Sequence, residues 1–152
     1  MVDHCSVSWS VDECLSVYGM ENSTVQWCIG SEALRKATHV KGAHGYGGNW
    51  GGHKASYHHN LIAHCESRVP RLGPRPSTLA LGECVDIRNN VFYNWAGNGC
   101  YGGEDQHVNI VNNYYKPGPV NAIAKVHCRI FTAYLDDGKN QQAKGCLLYT
   151  SP

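Results

Sequence analysis

The stretch Ser67-Arg68-Val69-Pro70-Arg71-Leu72-Gly73 sets two guanidinium groups on either side of a proline. Proline fixes its own φ and restricts the residue before it, so Arg68 and Arg71 project from a defined bend. Each arginine is a planar, cationic fork that pairs bidentately with a carboxylate or a phosphate. The chemistry that suits such a pair is capture of an acidic sugar or an acidic polymer. Taken alone, the motif reads equally well as an exposed turn with two solvated arginines. It closes a run that starts at His44-Gly45-Tyr46-Gly47-Gly48 and passes through Ala55-Ser56-Tyr57-His58-His59-Asn60-Leu61. Glycines let a backbone approach a ligand closely, which makes Lys41, His44 and Lys54 candidates to face the same groove. Each of the three also has a plain reading as a solvated surface residue. Tyr46 and Trp50 offer rings either to a sugar or to the core.

These residues need rigid elements to position them, and the sequence repeats suggest which. His59-Asn60-Leu61-Ile62, Asn89-Asn90-Val91-Phe92 and Asn112-Asn113-Tyr114-Tyr115 share one pattern, and each follows a short alternating strand (Ala55–His58, Val85–Arg88, His107–Val111). The second Asn recurs at Asn60, Asn90 and Asn113, intervals of 30 and 23 residues. Ser6-Val7-Ser8-Trp9-Ser10 also rhymes with Thr24-Val25-Gln26-Trp27-Cys28 at an offset of 18. One short strand and one Asn per period predict the stacked coils of a parallel β-helix. Asn tolerates the left-handed conformation of a tight corner, and stacked Asn side chains can bond from coil to coil. An antiparallel sandwich with Asn at unrelated turns is the competing architecture. Helical periodicity is weak throughout, with one turn at most over Ser31–Lys36.

Composition narrows the function. Thirteen basic and twelve acidic side chains leave a formal charge of +1, so no global field attracts nucleic acid or a membrane surface. With 152 residues, 17 glycines, nine tyrosines and only 16% charged residues, the chain reads as one strand-rich, turn-rich domain. Eight cysteines at wide spacings, with no CxxC, disfavour a zinc ribbon and leave disulfides or buried thiols open. Among nine histidines, His58 and His59 are adjacent and so point to opposite faces of a strand, and no His-x3-His pair sits on a helix. A histidine metal site is therefore not expected. Nothing approaches a membrane span. Asn22-Ser23-Thr24 matches a glycosylation sequon. The β-helix is expected over residues 1–140 as part of a larger domain, with 141–152 a non-native tail that joins no coil.

Asp3-His4-Cys5-Ser6 through Trp9-Ser10-Val11-Asp12-Glu13, the His44–Gly48 loop, Tyr57-His58-His59-Asn60, Ser67–Arg71 and Val111-Asn112-Asn113-Tyr114-Tyr115-Lys116-Pro117-Gly118 are collinear with, and resemble, the pectate lyases of polysaccharide lyase family 1. The resemblance implies an all-β, right-handed parallel β-helix, incomplete here, that is secreted and monomeric in its full-length form. It implies calcium-dependent β-elimination on de-esterified pectin (polygalacturonate), with neither nucleic acid nor membrane as partner. On this pattern Arg68 takes the role of base toward the C5 proton, and Arg71 binds a substrate carboxylate. The family often carries a further arginine where this chain has Gly73, and Arg75 is the nearest stand-in. Calcium ligands fall on Asp12 and Ser16, a hydroxyl where the pattern has a carboxylate, and another acidic ligand is expected upstream of Met1. Glu13, next to Asp12 on a strand, is expected to point to the opposite face.

Two other functions fit the residues. One is a non-catalytic β-helix that binds acidic polysaccharide, or an inactive fragment. The other is a β-helical glycoside hydrolase, which needs two carboxylic acids flanking the scissile bond. The adjacent acidic pairs Asp12-Glu13, Glu104-Asp105 and Asp136-Asp137 all lie away from the arginine motif in sequence, which ranks the hydrolase last.

Overall fold

A computed structural model describes residues 1–126, 128–134 and 146–149. Its strands follow one another coil by coil. The first coil contributes β1 (Val2–Asp3) and β2 (Ser6–Ser8); the second β3 (Thr24–Gln26), β4 (Ile29–Ser31) and β5 (Asn49–Trp50). The third has β6 (Ala55–His58), β7 (Leu61–Ala63) and β8 (Arg71–Leu72), then a short helix, α1 (Pro76–Leu79). The fourth has β9 (Glu83–Arg88), β10 (Val91–Tyr93) and β11 (Cys100–Gly102). The fifth has β12 (Gln106–Val111), β13 (Tyr114–Lys116), α2 (Pro119–Ala124) and β14 (Phe131–Ala133). Stacking gives three sheets, β1-β3-β6-β9-β12-β15, β2-β4-β7-β10-β13 and β5-β8-β11-β14, where β15 is Cys146–Tyr149. Every strand pair is parallel. This is the expected parallel β-helix, and the sandwich is excluded.

The interior is built from in-register stacks. Val25, Tyr57, Ile87 and Ile110 lie side by side across the first sheet and are almost completely buried. Burying each such side chain stabilises the fold by about 1.5–3 kcal/mol. Trp50 lies flat against Tyr57, ring centroids 4.6 Å apart, and donates its indole N–H to the Leu15 carbonyl at 3.0 Å. Trp50 is therefore core and unavailable to a sugar.

The Asn ladder exists, with its conformational role shifted by one residue. Asn60 Nδ2 donates to Asn90 Oδ1 at 3.0 Å, and Asn90 Nδ2 to Asn113 Oδ1 at 2.9 Å. The left-handed residue at each corner is the one before the ladder: His59 (φ 57°), Asn89 (φ 54°) and Asn112 (φ 53°). The ladder Asn turns inward and bonds backbone groups that the corner leaves unpaired. The rhyme at an offset of 18 does not reflect stacking, because β2 stacks on β4 and β3 on β1, in different sheets. The expected tail is only partly described. Cys146–Tyr149 runs parallel to Val108–Val111, so these four residues do join a coil, while 141–145 and 150–152 lie outside the described residues. The Asp136-Asp137 pair also lies outside them.

Candidate functional site

Arg68 occupies the corner between β7 and β8, in the left-handed region with φ 56°, and is followed by a cis Val69–Pro70 bond. The neighbouring coils come close here because two positions lack side chains. A Cβ on Gly47 would stand 2.5 Å from the Arg68 carbonyl oxygen, and one on Gly48 would stand 1.9 Å from that of Leu15. The Gly48 N–H donates to the Arg68 carbonyl at 2.8 Å. Beyond the corner, alternation in the third sheet turns Trp50, Leu72 and Gly102 inward and places Asn49, Arg71 and Tyr101 in register on the outer face.

The Glu13 carboxylate is the hub of this face. Its Oε1 takes a bond from Arg68 Nη1 and another from Asn49 Nδ2 at 3.0 Å, while Ser16 Oγ donates to Oε2. The Arg68 guanidinium also lies over the Tyr46 ring, 4.2 Å from its centroid. Arg71 forms a bidentate pair with Glu104 at 2.7 and 2.8 Å, and Tyr101 and Tyr134 flank it. Both arginines keep about a quarter of their side-chain surface in solvent, 27% and 21%. The two acidic residues that seemed remote from the arginine motif in sequence thus touch it in space. Stacking of β8 on β11 brings Glu104 there, and the Glu13–Tyr46–Ser67 bridges bring Glu13. Each of these carboxylates is held as the partner of an arginine, so neither is free to flank a scissile bond as a glycoside hydrolase requires.

The remaining expected residues scatter. Arg75 stacks on Tyr18, 4.4 Å from the ring centroid, and donates its guanidinium to the Tyr18 hydroxyl; its backbone N–H goes to the buried Glu83 at 3.0 Å. Lys41 lies exposed in the loop before His44, and Lys54 lies exposed at the turn into β6. Neither has an ion pair among the described residues. His44 is turned away from the groove onto Asp12, with 11% of its side chain exposed.

The two expected calcium ligands part company. Ser16 is bonded to Glu13, whereas the Asp12 carboxylate faces His39 and His44. Asp12 and Glu13 do point to opposite sides, as alternation requires. The oxygen set that fits a hard cation is therefore Glu13, Ser16 and Asn49, and Asn49 Oδ1 is buried with no hydrogen-bond partner. In the sequence Glu13 is the carboxylate that could compensate for the hydroxyl at Ser16, set against its pointing away from Asp12, and nothing local marks Asn49 as a ligand.

Below this face, Cys14 and Cys65 share a hydrogen bond. It lowers the Cys14 thiol to about 7, against the opposing effect of burial, and raises that of Cys65, to which burial adds. Cys5, Cys14, Cys28, Cys65, Cys84 and Cys128 are free thiols, and Cys14, Cys28, Cys65 and Cys100 are buried.

No family model matches the chain. It is 33% identical over 155 residues to a protein of Aspergillus flavus named "Probable pectate lyase C", a match covering 94% of this chain and 33% of that protein. A protein of the same name from Neosartorya fischeri is 33% identical over 98% of the chain, and one from Emericella nidulans is 36% identical over 80%. The chain spans about a third of the length of these curated relatives.

Proposed function

We propose, from the premise that the chain belongs to the pectate lyase family, that it carries the arginine face of a calcium-dependent site cleaving de-esterified pectin by β-elimination. The observation that carries this reading is the placement of Arg68 at the corner leading into β8, bonded to the Glu13–Ser16–Asn49 oxygen set, with Arg71 three residues on, in register with Asn49 on the outer face of the third sheet. The reading includes a secreted, monomeric full-length protein with an anionic polysaccharide as its partner.

In β-elimination the C5 proton of a galacturonate passes to a base, a C4–C5 double bond forms, and the C4–O bond breaks with its electron pair leaving on the glycosidic oxygen, which is then protonated. The C5–H is a weak acid, so the adjacent carboxylate has to be neutralised first. Calcium, held by Glu13, Ser16 and Asn49, would supply that charge as a Lewis acid. Arg71 is placed to do the same with its fork, exchanging Glu104 for the sugar carboxylate. Arg68 stands at the C5 proton, either as the free guanidine base or as the group that positions a hydroxide. Both roles require its side chain to leave Glu13. Tyr46, beneath the guanidinium, keeps Arg68 oriented when that bond is exchanged.

The test is incubation with polygalacturonate and calcium while following the ultraviolet absorbance of the unsaturated product. Absorbance should rise with calcium and stop with chelator. Arg68→Ala should lower the rate at least about a hundredfold, the low end of what a positioned proton acceptor contributes. New reducing ends without absorbance would overturn the reading in favour of hydrolysis, and binding without turnover would reduce it to a polysaccharide-binding β-helix.

A further inference from the structure

We propose that Asp12, His39 and His44 form a site for a first-row divalent metal of the zinc class, distinct from the oxygen set around Glu13. His39 Nε2 lies 3.7 Å from Asp12 Oδ2, His44 Nε2 lies 3.8 Å from Asp12 Oδ1, and one ligand atom from each residue falls within 4.8 Å of the others. These separations exceed a hydrogen bond. They are close to the spacing of about 3.4 Å that tetrahedral geometry gives ligands 2.0–2.2 Å from one ion.

The hydrogen bonds around the cluster orient it for a cation. His44 Nδ1 is 3.0 Å from the Gly42 carbonyl, an acceptor, so Nδ1 carries a proton and Nε2, the nitrogen left for a metal, faces Asp12. There it meets Asp12 Oδ1, which is buried and has no hydrogen-bond partner. Nε2 and Oδ1 therefore face each other 3.8 Å apart, across a gap that suits a metal ion. A backbone carbonyl holding Nδ1–H is also how metal-binding imidazoles are commonly oriented. His39 is less prepared. Its Nδ1 accepts the Lys41 N–H at 3.2 Å, so ligation through Nε2 gives up that bond, and Lys41 N–H turns to solvent.

Two imidazoles and one carboxylate select zinc, cobalt or nickel over calcium, which prefers oxygen alone. Three protein ligands leave a fourth position for water. The ion would tie the His39–His44 loop, with Lys41 in it, to the residue preceding Glu13. It would thereby brace the chain that holds Arg68.

The experiment is a calorimetric zinc titration of the chain with its accessible thiols alkylated, so that cysteine cannot supply ligands. One equivalent should bind, and millimolar calcium should not displace it. His39→Ala and His44→Ala should each weaken binding at least about tenfold. His53→Ala, whose exposed ring bonds the Gly82 carbonyl elsewhere on the molecule, should bind as the unsubstituted chain does. Cobalt added to the unsubstituted chain should give the visible bands of a nitrogen–oxygen tetrahedral site, which covers the case of a variant that fails to fold. Absent zinc binding, binding untouched by both histidine variants, displacement by calcium or absent cobalt bands would each overturn the proposal. The readout needs no turnover, so it stands or falls separately from the lyase reading.

Discussion

Arg68 and Arg71 share one turn yet meet different partners, and the difference matters chemically. Arg71 and Glu104 form a two-bond fork with both side chains largely covered, while Arg68 shares Glu13 with a hydroxyl and an amide. Glu13 keeps two other donors when Arg68 swings away, so the charge it would otherwise bury alone stays solvated by hydrogen bonds. Arg68 is thus the more readily exchanged of the two. A second residue-scale consequence concerns Cys14. With its thiol lowered to about 7 by the bond from Cys65, thiolate absorbance should appear near neutral pH. Cys65→Ser leaves a different donor in place and should shift that titration, whereas Cys14→Ser should remove it. Because the folded value lies below the ordinary thiol value, this group adds stability above the unfolded range, and that stability fades as pH falls through about 7. Unchanged thiolate absorbance in Cys14→Ser would show that another cysteine titrates there.

At the scale of elements, the corners carry the fold. Asn90 is 1% exposed and takes part in bonds to Asn60, Tyr57 and Asn113 at once, so Asn90→Ala strands several buried backbone groups. Each such group costs about 1–3 kcal/mol, and a loss of several kcal/mol is expected by urea unfolding. Asn112→Ala removes an exposed side-chain bond to Asn89 and puts alanine in the left-handed region at φ 53°, so it should cost about 1 kcal/mol. Equal losses would show that the ladder adds no stability beyond an ordinary turn. Repeats at intervals of 30 and 23 exposed this ladder in the sequence, because every coil must turn at the same place. The two helices escaped notice even though both begin at a proline, Pro76 and Pro119, a position that favours helix initiation. With four and six residues they are too short for a periodic apolar face to register.

At the scale of the whole molecule, the three parallel sheets end, among the described residues, in six strands: β1 and β15, β2 and β13, and β5 and β14, of which β5 is bridged by Val17. Open edges with exposed apolar side chains beside them, such as Tyr114 at 62% and Ile123 at 82%, template pairing with another chain. Sedimentation should therefore show association that grows with concentration. A monomer at all concentrations, with a sharp unfolding transition, would contradict this.

The strands ahead of Asn60, Asn90 and Asn113, the Asn corners and the arginine turn were legible because they are local: alternation, one repeated corner residue and one proline decide them. The two- and three-residue strands of the third sheet are too short to show alternation. The stacking register was not legible, because coil lengths vary and a shift of a single residue moves every side chain to the other face. Register alone brings Glu104 to Arg71, Glu13 to Arg68, and His39 and His44 to Asp12. The sequence by itself therefore determined a coiled β-architecture with two arginines on a bend. Tertiary structure decided which carboxylates and imidazoles those coils bring together, since contacts between coils depend on stacking that no short stretch of chain encodes.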